Sequence, residues 1–182
     1  MKSLTVLSVI FVTSLACAQD VASGPDKGKK VPPLKVFDAT GPNQGKEVDY
    51  TAERKEMPTV YVFVQADKWT RPIARFLVKL DEAVLKEGRD ASVIAVWLTD
   101  GPDKTKKYLP LAQQSLKFQT TALTCYTGDK SGPERWGING DAHLTVVVTN
   151  EKKVAAVFGY ISTNETAVPQ VQKALQETID KK

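Results

Sequence analysis

Two predominantly apolar runs stand out along the chain. Residues 59–64 and 91–98 are rich in β-branched and aromatic side chains and show no regular alternation with polar ones. A run of this kind is typical of a strand that is covered on both faces of a sheet. The pattern therefore predicts two central strands of a sheet that lies inside the molecule.

Helical periodicity follows each of these runs and also closes the chain. Apolar residues recur at spacings of three and four over residues 73–84, and Gly88 then predicts the end of that helix. A second helix is expected over residues 103–118, where Pro110 should kink or divide it. The last helix is expected to begin near residues 163–164 and to bury four apolar side chains: Val168, Val171, Leu175 and Ile179.

Shorter β patterns complete the order of elements. Two short strands over residues 34–37 and 46–50 are joined by a segment dense in turn formers, which predicts a hairpin. Further strands are expected at 122–126, 144–148 and 154–160, with a helical turn at 133–136. Helices that alternate with buried strands require crossover connections and a partly parallel sheet. We therefore expect an α/β fold: a three-layer sandwich with a central mixed sheet, helices on both faces and an N-terminal β-hairpin.

The first eighteen residues have the organisation of a secretory signal peptide. Lys2 precedes an apolar run over residues 4–15, and small residues lead to a cleavage site after Ala18. The apolar run is shorter than the roughly 20 residues that a bilayer requires, so no transmembrane helix is expected. The chain is therefore predicted to be exported, to the periplasm or to the cell exterior.

Two further boundaries follow from the N-terminal composition. Residues 19–30 are polar and carry no apolar period, which predicts a flexible leader before a single domain over residues 31–182. An alternative to a cleaved signal peptide is a lipoprotein anchored through Cys17, because residues 14–17 partly resemble a lipobox. Such an anchor would tether the same domain to a membrane.

Charge and cysteine content argue against several classes of function. The chain has 25 basic and 21 acidic residues, and the basic residues are dispersed, so no nucleic-acid partner is expected. Of its two cysteines, Cys17 belongs to the predicted signal peptide, which leaves Cys125. A dithiol pair or a cysteine-based zinc site needs more thiols than one. With His143 as the single histidine, a metal site would have to consist almost wholly of carboxylates, so we expect no metal. No cofactor is expected either.

The first predicted central strand leads through a polar break into residues 69–73, Trp-Thr-Arg-Pro-Ile, and then into a helix. This junction resembles the active-site turn of the thioredoxin superfamily, in which a buried strand leads to Trp-Cys-Gly-Pro-Cys at a helix N-terminus. Trp69 and Pro72 match that motif, whereas Thr70 and Ile73 stand at its two cysteine positions. The opening hairpin is similar to that of the secreted thioredoxin and peroxiredoxin-like branch.

A second resemblance lies at residues 135–140, Arg-Trp-Gly-Ile-Asn-Gly, and at the strand over residues 144–148 that follows them. They are similar to the family's tyrosine-glycine-valine turn, after which the family carries a cis-proline. Here that stretch is Asp141, Ala142 and His143. Because a cis bond without proline costs about 2.5–4 kcal/mol, the bond from Asp141 to Ala142 should be trans. In the family this loop presents backbone groups to the substrate, and a trans turn would aim them elsewhere.

The resemblance implies a thioredoxin-like fold but argues against the family's redox activity. In the family the first cysteine attacks as a thiolate and the second resolves the mixed disulfide, which threonine and isoleucine cannot do. The leading hypothesis is a redox-inactive domain that binds a protein or peptide and has no catalytic residue. We expect its binding residues to be Trp69, Thr70, Arg71, Pro72, Asp141, Ala142 and His143.

Three residues carry more specific expectations. Trp69 is either an exposed anchor for the partner or a large residue packed over the loop, and exposure is favoured, since aromatic side chains in loops are frequent interface residues. Thr70 should cap the helix, with its hydroxyl accepting a hydrogen bond from an early amide. The alternative function is a thiol-dependent antioxidant or thiol-disulfide exchange protein that uses Cys125. That thiol lies in an apolar stretch, however, where free cysteine commonly behaves as a small buried hydrophobe.

Overall fold

The computed structural model describes residues 19–88 and 90–180. Its strands are β1 (Gln19–Asp20), β2 (Lys35–Asp38), β3 (Glu47–Asp49), β4 (Thr59–Gln65), β5 (Ser92–Leu98), β6 (Thr121–Cys125), β7 (Leu144–Asn150) and β8 (Lys153–Ser162). They form one mixed sheet in the order β1-β8-β7-β4-β5-β6-β2-β3. The predicted signal peptide, with Cys17, lies outside the described residues.

Four α-helices accompany the sheet in the part of the chain that the structure describes. They are α1 (Tyr50–Arg54), α2 (Arg71–Glu87), α3 (Pro102–Leu116) and α4 (Val168–Ile179), and short 3-10 turns cover Ala66–Lys68 and Glu165–Ala167. None of these helices has the length and apolar character that a bilayer crossing requires.

The strand β4 is the centre of the sheet. All seven of its residues are buried, and it pairs in parallel with β5 and antiparallel with β7. The unbroken apolar run over residues 60–64 of this strand reflects burial on both faces, because a half-exposed strand would alternate polar and apolar positions. The two predicted central strands and the N-terminal hairpin of β2 and β3 are confirmed.

The three long helices pack together on one face of the sheet. Val62 and Val64 of β4 lie in the same apolar cluster as Leu80 of α2, Leu109 of α3 and Leu175 of α4. The apolar period that predicted α2 and α4 corresponds to the side chains that each helix buries here. These helices form the first covering layer.

The opposite face is covered mainly by chain without regular structure. Tyr61 and Phe63 of β4 point into a second cluster with Tyr50 of α1, Leu34 and Trp136. The one-turn helix α1 and the irregular segments before β2 and before β7 supply these partners. The sandwich therefore has helices on both faces, as predicted, but its two outer layers are unequal.

The sequence predicts a flexible leader over residues 19–30, whereas in the structure this segment lies against the domain. Strand β1 pairs with the end of β8, and the Val21 amide donates to the Gly159 carbonyl at 2.9 Å. Farther along, the Gly28 amide donates to the Val154 carbonyl at 2.7 Å. Backbone hydrogen bonds of this kind leave no apolar period in the sequence, which is why composition alone indicated a free segment.

Two smaller expectations also differ from the structure. The helix α3 is not divided at Pro110, which lies inside its continuous helical span. A proline removes one helical hydrogen bond, and the neighbouring buried contacts of Leu109 and Ala112 hold the helix together around it. The predicted helical turn at residues 133–136 is a single hydrogen-bonded turn, closed by the Trp136 amide on the Pro133 carbonyl at 3.2 Å.

Candidate functional site

The turn after β4 places the thioredoxin-like motif at the carboxyl end of this central strand. One 3-10 turn, Ala66–Lys68, follows β4, and α2 then begins at Arg71 with Thr70 as its N-cap. The Thr70 carbonyl accepts the Ala74 amide at 3.0 Å. Its hydroxyl makes no capping hydrogen bond, so the predicted position is confirmed and the predicted hydroxyl contact is wrong. Pro72 in the first turn leaves no helical hydrogen bond unmade.

Trp69 is held in place rather than freely exposed. Its side chain is half-buried, and its ring packs edge-on against Trp97 with 5.1 Å between centroids. The indole nitrogen donates to the Tyr108 hydroxyl at 2.9 Å. Trp69 therefore combines both expectations, because its ring packs against Trp97 and also lines an open cleft.

The two positions that resemble the family's cysteines have different surroundings. Thr70 is exposed, as is the neighbouring Arg71. Ile73 is only 2% exposed and belongs to the apolar cluster beneath α2. One position therefore faces solvent and the other contributes to the core.

An open cleft of about 410 Å³ lies between this turn and α3. Trp69, Trp97 and Tyr108 line it, and we call it the aromatic cleft. Its rim carries charge, including an ion pair in which the Lys130 ammonium lies 2.6 Å from the Asp100 carboxylate. Trp97 and Tyr108 were not predicted from the sequence, because they belong to β5 and α3 and meet the turn only in the folded chain.

The loop over residues 141–143 lies beside the turn, as the resemblance implied. The His143 carbonyl accepts the amide of Gln65, the last residue of β4, at 3.2 Å. The peptide bonds of the described chain contain no cis bond, so the bond from Asp141 to Ala142 is trans, as predicted. The turn and the loop therefore both lie at the carboxyl end of β4.

The backbone of this loop is committed to internal hydrogen bonds. The Ala142 amide donates to the Asn139 carbonyl at 3.0 Å, and the His143 amide donates to the Tyr160 carbonyl at 2.8 Å. The Asp141 amide donates to the Asn139 side chain at 2.9 Å. Ala142 itself is 1% exposed, so it is not a contact residue, although the sequence argument placed it among them. The exposed Asp141 and half-buried His143 side chains remain available.

Cys125 ends β6 and pairs with Trp97 in the sheet register. Its side chain is fully buried, with the sulfur 3.6 Å from the Tyr126 carbonyl. Burial raises the pKa of the thiol to about 11. A thiolate is the reactive form, so this environment suppresses nucleophilic chemistry near neutral pH.

The loop geometry predicts the behaviour of a variant with both cysteines restored, Thr70→Cys with Ile73→Cys. It should form a reducible disulfide at the helix N-terminus. It should reduce insulin about two- to 150-fold more slowly than an ordinary thioredoxin, because one or two substrate hydrogen bonds of about 0.5–1.5 kcal/mol each are unavailable.

The insulin turbidity assay measures that rate. The single variant Thr70→Cys, which cannot close an internal disulfide, is the matched control. A double variant as fast as thioredoxin would contradict the role given to the hydrogen bonds of residues 141–143.

Comparison with known proteins places the fold. No family model matches the chain, and no curated protein is significantly similar to it in sequence. Among solved structures, the peroxidoxin BcpB of Mycobacterium tuberculosis is similar with a TM-score of 0.62 and 14% identity, covering 84% of this chain and 97% of its own. A DsbF homologue of Corynebacterium diphtheriae is similar with a TM-score of 0.62 and 14% identity, covering 95% of this chain and 99% of its own.

A third solved structure belongs to a surface protein. The exposed lipoprotein thioredoxin of Streptococcus pneumoniae is similar with a TM-score of 0.56 and 15% identity, covering 78% of this chain and 98% of its own. At such identities the likeness concerns the fold. The chain has the thioredoxin-like fold that its sequence resembles.

Proposed function

We propose that this chain is an exported thioredoxin-like domain that acts by binding a protein or peptide, without thiol-disulfide exchange. The binding surface consists of Trp69, the exposed residues of the turn that follows it, the aromatic cleft, and the side chains of Asp141 and His143. The partner lies across the carboxyl end of β4, at the start of α2.

The observation that carries this proposal is the setting of Trp69. Its ring is fixed by Trp97 on one side and by a hydrogen bond to Tyr108, yet it lines an open cleft. A rigid, half-buried aromatic ring gives a partner large contact area at little entropic cost, which is the usual character of an interface hot spot. Arg71, exposed beside it, adds hydrogen-bond donors.

The surroundings of the motif also support binding over exchange. Neither Thr70 nor Ile73 has a sulfur atom, and Ile73 is part of the apolar cluster rather than of the surface. The amides of residues 141–143, which the family's substrates use, are satisfied within the chain. The exposed side chains at the carboxyl end of β4 are therefore left to recognise a partner.

Photo-crosslinking from this surface tests the proposal. A benzophenone amino acid at the exposed position of Arg71, in the protein expressed in its native host, should give an adduct of one defined mass. The same probe at Lys86, exposed near the other end of α2, is the control. No adduct from position 71, or equal adducts from both positions, would contradict a binding surface at the turn.

The alternative function is a thiol-dependent antioxidant or exchange protein acting through Cys125. The peroxidoxin and the DsbF homologue among the similar structures favour it at the level of fold. The burial of Cys125 weighs against it, because burial raises the pKa of the thiol from the ordinary 9.0 to about 11. At pH 8 the thiolate fraction is then about a hundredfold smaller.

Thiol titration separates the two functions. In protein that begins at Gln19, Cys125 is the only thiol, and its alkylation at pH 8 should be at least about a hundredfold slower than that of glutathione. The rate should rise with pH toward 11, as the proton leaves. Urea-unfolded protein is the control, and its thiol should react at the ordinary rate. Rapid oxidation of the folded protein by peroxide at pH 7 would favour the antioxidant.

Export is part of the same proposal. A cleavage after Ala18 leaves Gln19, the first residue of β1, as the mature N-terminus, so processing would leave the whole sheet intact. The intact mass of the exported protein distinguishes this product from one lipidated at Cys17. The similar lipoprotein thioredoxin of Streptococcus pneumoniae keeps the anchored form as the alternative.

A further inference from the structure

A second cleft, of about 680 Å³, lies on the coil-covered face of the sheet. It shares no lining residue with the aromatic cleft. Residues 24–33, the start of α1, the turn before β7 and the β7–β8 turn surround it. We call it the cationic cleft, after four basic residues that line it: Lys29, Lys30, Arg135 and Lys152.

The positive charge of this cleft is largely uncompensated. All four basic side chains belong to exposed residues, and within the described residues none of them forms an ion pair. Two carboxylates also line the cleft, Asp26 and Asp49. One Asp49 oxygen already accepts the amides of Leu34 at 3.1 Å and of Thr51 at 3.0 Å. The cleft therefore presents more cationic donors than available acceptors.

Docking of residues 19–30 is what assembles the four charges. The Val154 amide donates to the Lys29 carbonyl at 2.9 Å, and the Val31 amide donates to the Lys152 carbonyl at 2.9 Å. These bonds place Lys29 and its neighbour Lys30 beside the β7–β8 turn, although more than a hundred residues separate them along the chain. The arrangement is thus a property of the folded domain.

Two of the four cations occupy strained backbone. Arg135 has φ of 64° and Lys152 has φ of 59°, a region that favours glycine or asparagine. Lys152 is the second central residue of a two-residue hairpin turn, where glycine is the preferred residue. Non-glycine residues in this conformation persist at a cost and concentrate at functional sites. The chain therefore has long basic side chains at two positions where glycine would carry less backbone strain.

We infer that the cationic cleft binds a small, multiply charged anion that carries phosphoryl groups. The volume is within the range of small-molecule sites. A phosphoryl group has a charge of about −1.5 to −2 near neutral pH, so two of them match four cations within one compact ligand. Arginine and lysine offer only donors, and arginine can bind a phosphoryl group through two parallel hydrogen bonds.

Calorimetric titration with inorganic tripolyphosphate at low ionic strength tests this site in protein that begins at Gln19. The double variant Arg135→Gln with Lys152→Gln should bind at least about tenfold more weakly than the wild type, since charge-assisted hydrogen bonds are lost. The control, Lys86→Gln with Lys107→Gln, removes the same charge from exposed positions elsewhere and should change affinity less than about twofold. Absent binding by the wild type, or equal loss in both double variants, overturns the inference.

The variant Lys152→Gly separates a binding role from a structural one. Glycine relieves the strained conformation, so the urea midpoint should rise while tripolyphosphate affinity falls. A variant that loses both stability and affinity, or keeps full affinity, would show that Lys152 is not retained for the anion.

Two further titrations identify the source of the phosphoryl group. Vesicles of cardiolipin, whose headgroup carries two phosphates, report a lipid headgroup, with phosphatidylcholine vesicles as control, and tripolyphosphate reports a free anion. Binding of either supports the site when Arg135→Gln with Lys152→Gln weakens it. An octaglutamate peptide that binds more tightly than both would overturn the assignment to phosphoryl chemistry.

Discussion

Replacing Trp69 with alanine is expected to weaken partner binding at least about thirty-fold, which corresponds to about 2 kcal/mol and is typical of a central aromatic anchor. The truncation removes the ring that lines the aromatic cleft. It also leaves the Tyr108 hydroxyl without its indole donor. The crosslinking yield from position 71 gives a first measure of the effect. Once the crosslinked partner is identified, its affinity for the wild type and for the variant gives the second.

Matched variants distinguish lost contact from lost structure. Tyr108→Phe removes only the hydrogen bond to Trp69 and should weaken binding less than Trp69→Ala does. Leu111→Ala changes a 61% exposed residue on α3 that does not line the cleft and should leave binding unchanged. A Trp69→Ala protein with native circular dichroism and full affinity would remove Trp69 from the binding surface.

Replacing Trp136 with alanine is expected to lower the free energy of unfolding by about 3–5 kcal/mol, the usual cost of deleting a large buried aromatic side chain. Its indole is fully buried, with centroids 4.8 Å from Phe63 and 5.2 Å from Tyr61. The indole nitrogen also donates to the Pro33 carbonyl at 3.0 Å. Because irregular chain covers this face, few other large side chains can fill the space that is left.

Urea denaturation measures this loss. Trp136→Phe keeps most of the ring contact but leaves the Pro33 carbonyl unpaired, so a smaller loss of about 1–3 kcal/mol is expected. The same variants should disturb the cationic cleft, because Arg135 precedes Trp136 directly. A loss below about 1 kcal/mol for Trp136→Ala would show that the second apolar cluster does not depend on this residue.

The amount that sequence could predict differs between the sheet and the site. Strands β4 and β5 were predictable because their burial on both faces leaves continuous apolar runs. Helices α2 and α4 were predictable because each buries one stripe of side chains. The path of residues 19–30 was not, since backbone hydrogen bonds to β8 hold it and any sequence except proline can make them.

The site shows the same division. The turn at Trp69 could be located from a local match of residues to a known motif. Its partners Trp97 and Tyr108 lie 28 and 39 positions farther along, and no local pattern links them to the turn. Ala142 was expected at the surface because it belongs to the loop that resembles the family's substrate-facing loop, but its side chain is buried.

By itself, the sequence determined the fold class, the order of the elements from β2 to α4 apart from the one-turn helix α1, and the lack of sulfur at both motif positions, because periodicity and residue identity are properties of the chain alone. Only the tertiary structure decided what surrounds Trp69, how deeply Cys125 lies and which cations meet beside the β7–β8 turn. These features depend on contacts between residues far apart in the chain. Strand pairing creates such contacts, and local composition does not specify them.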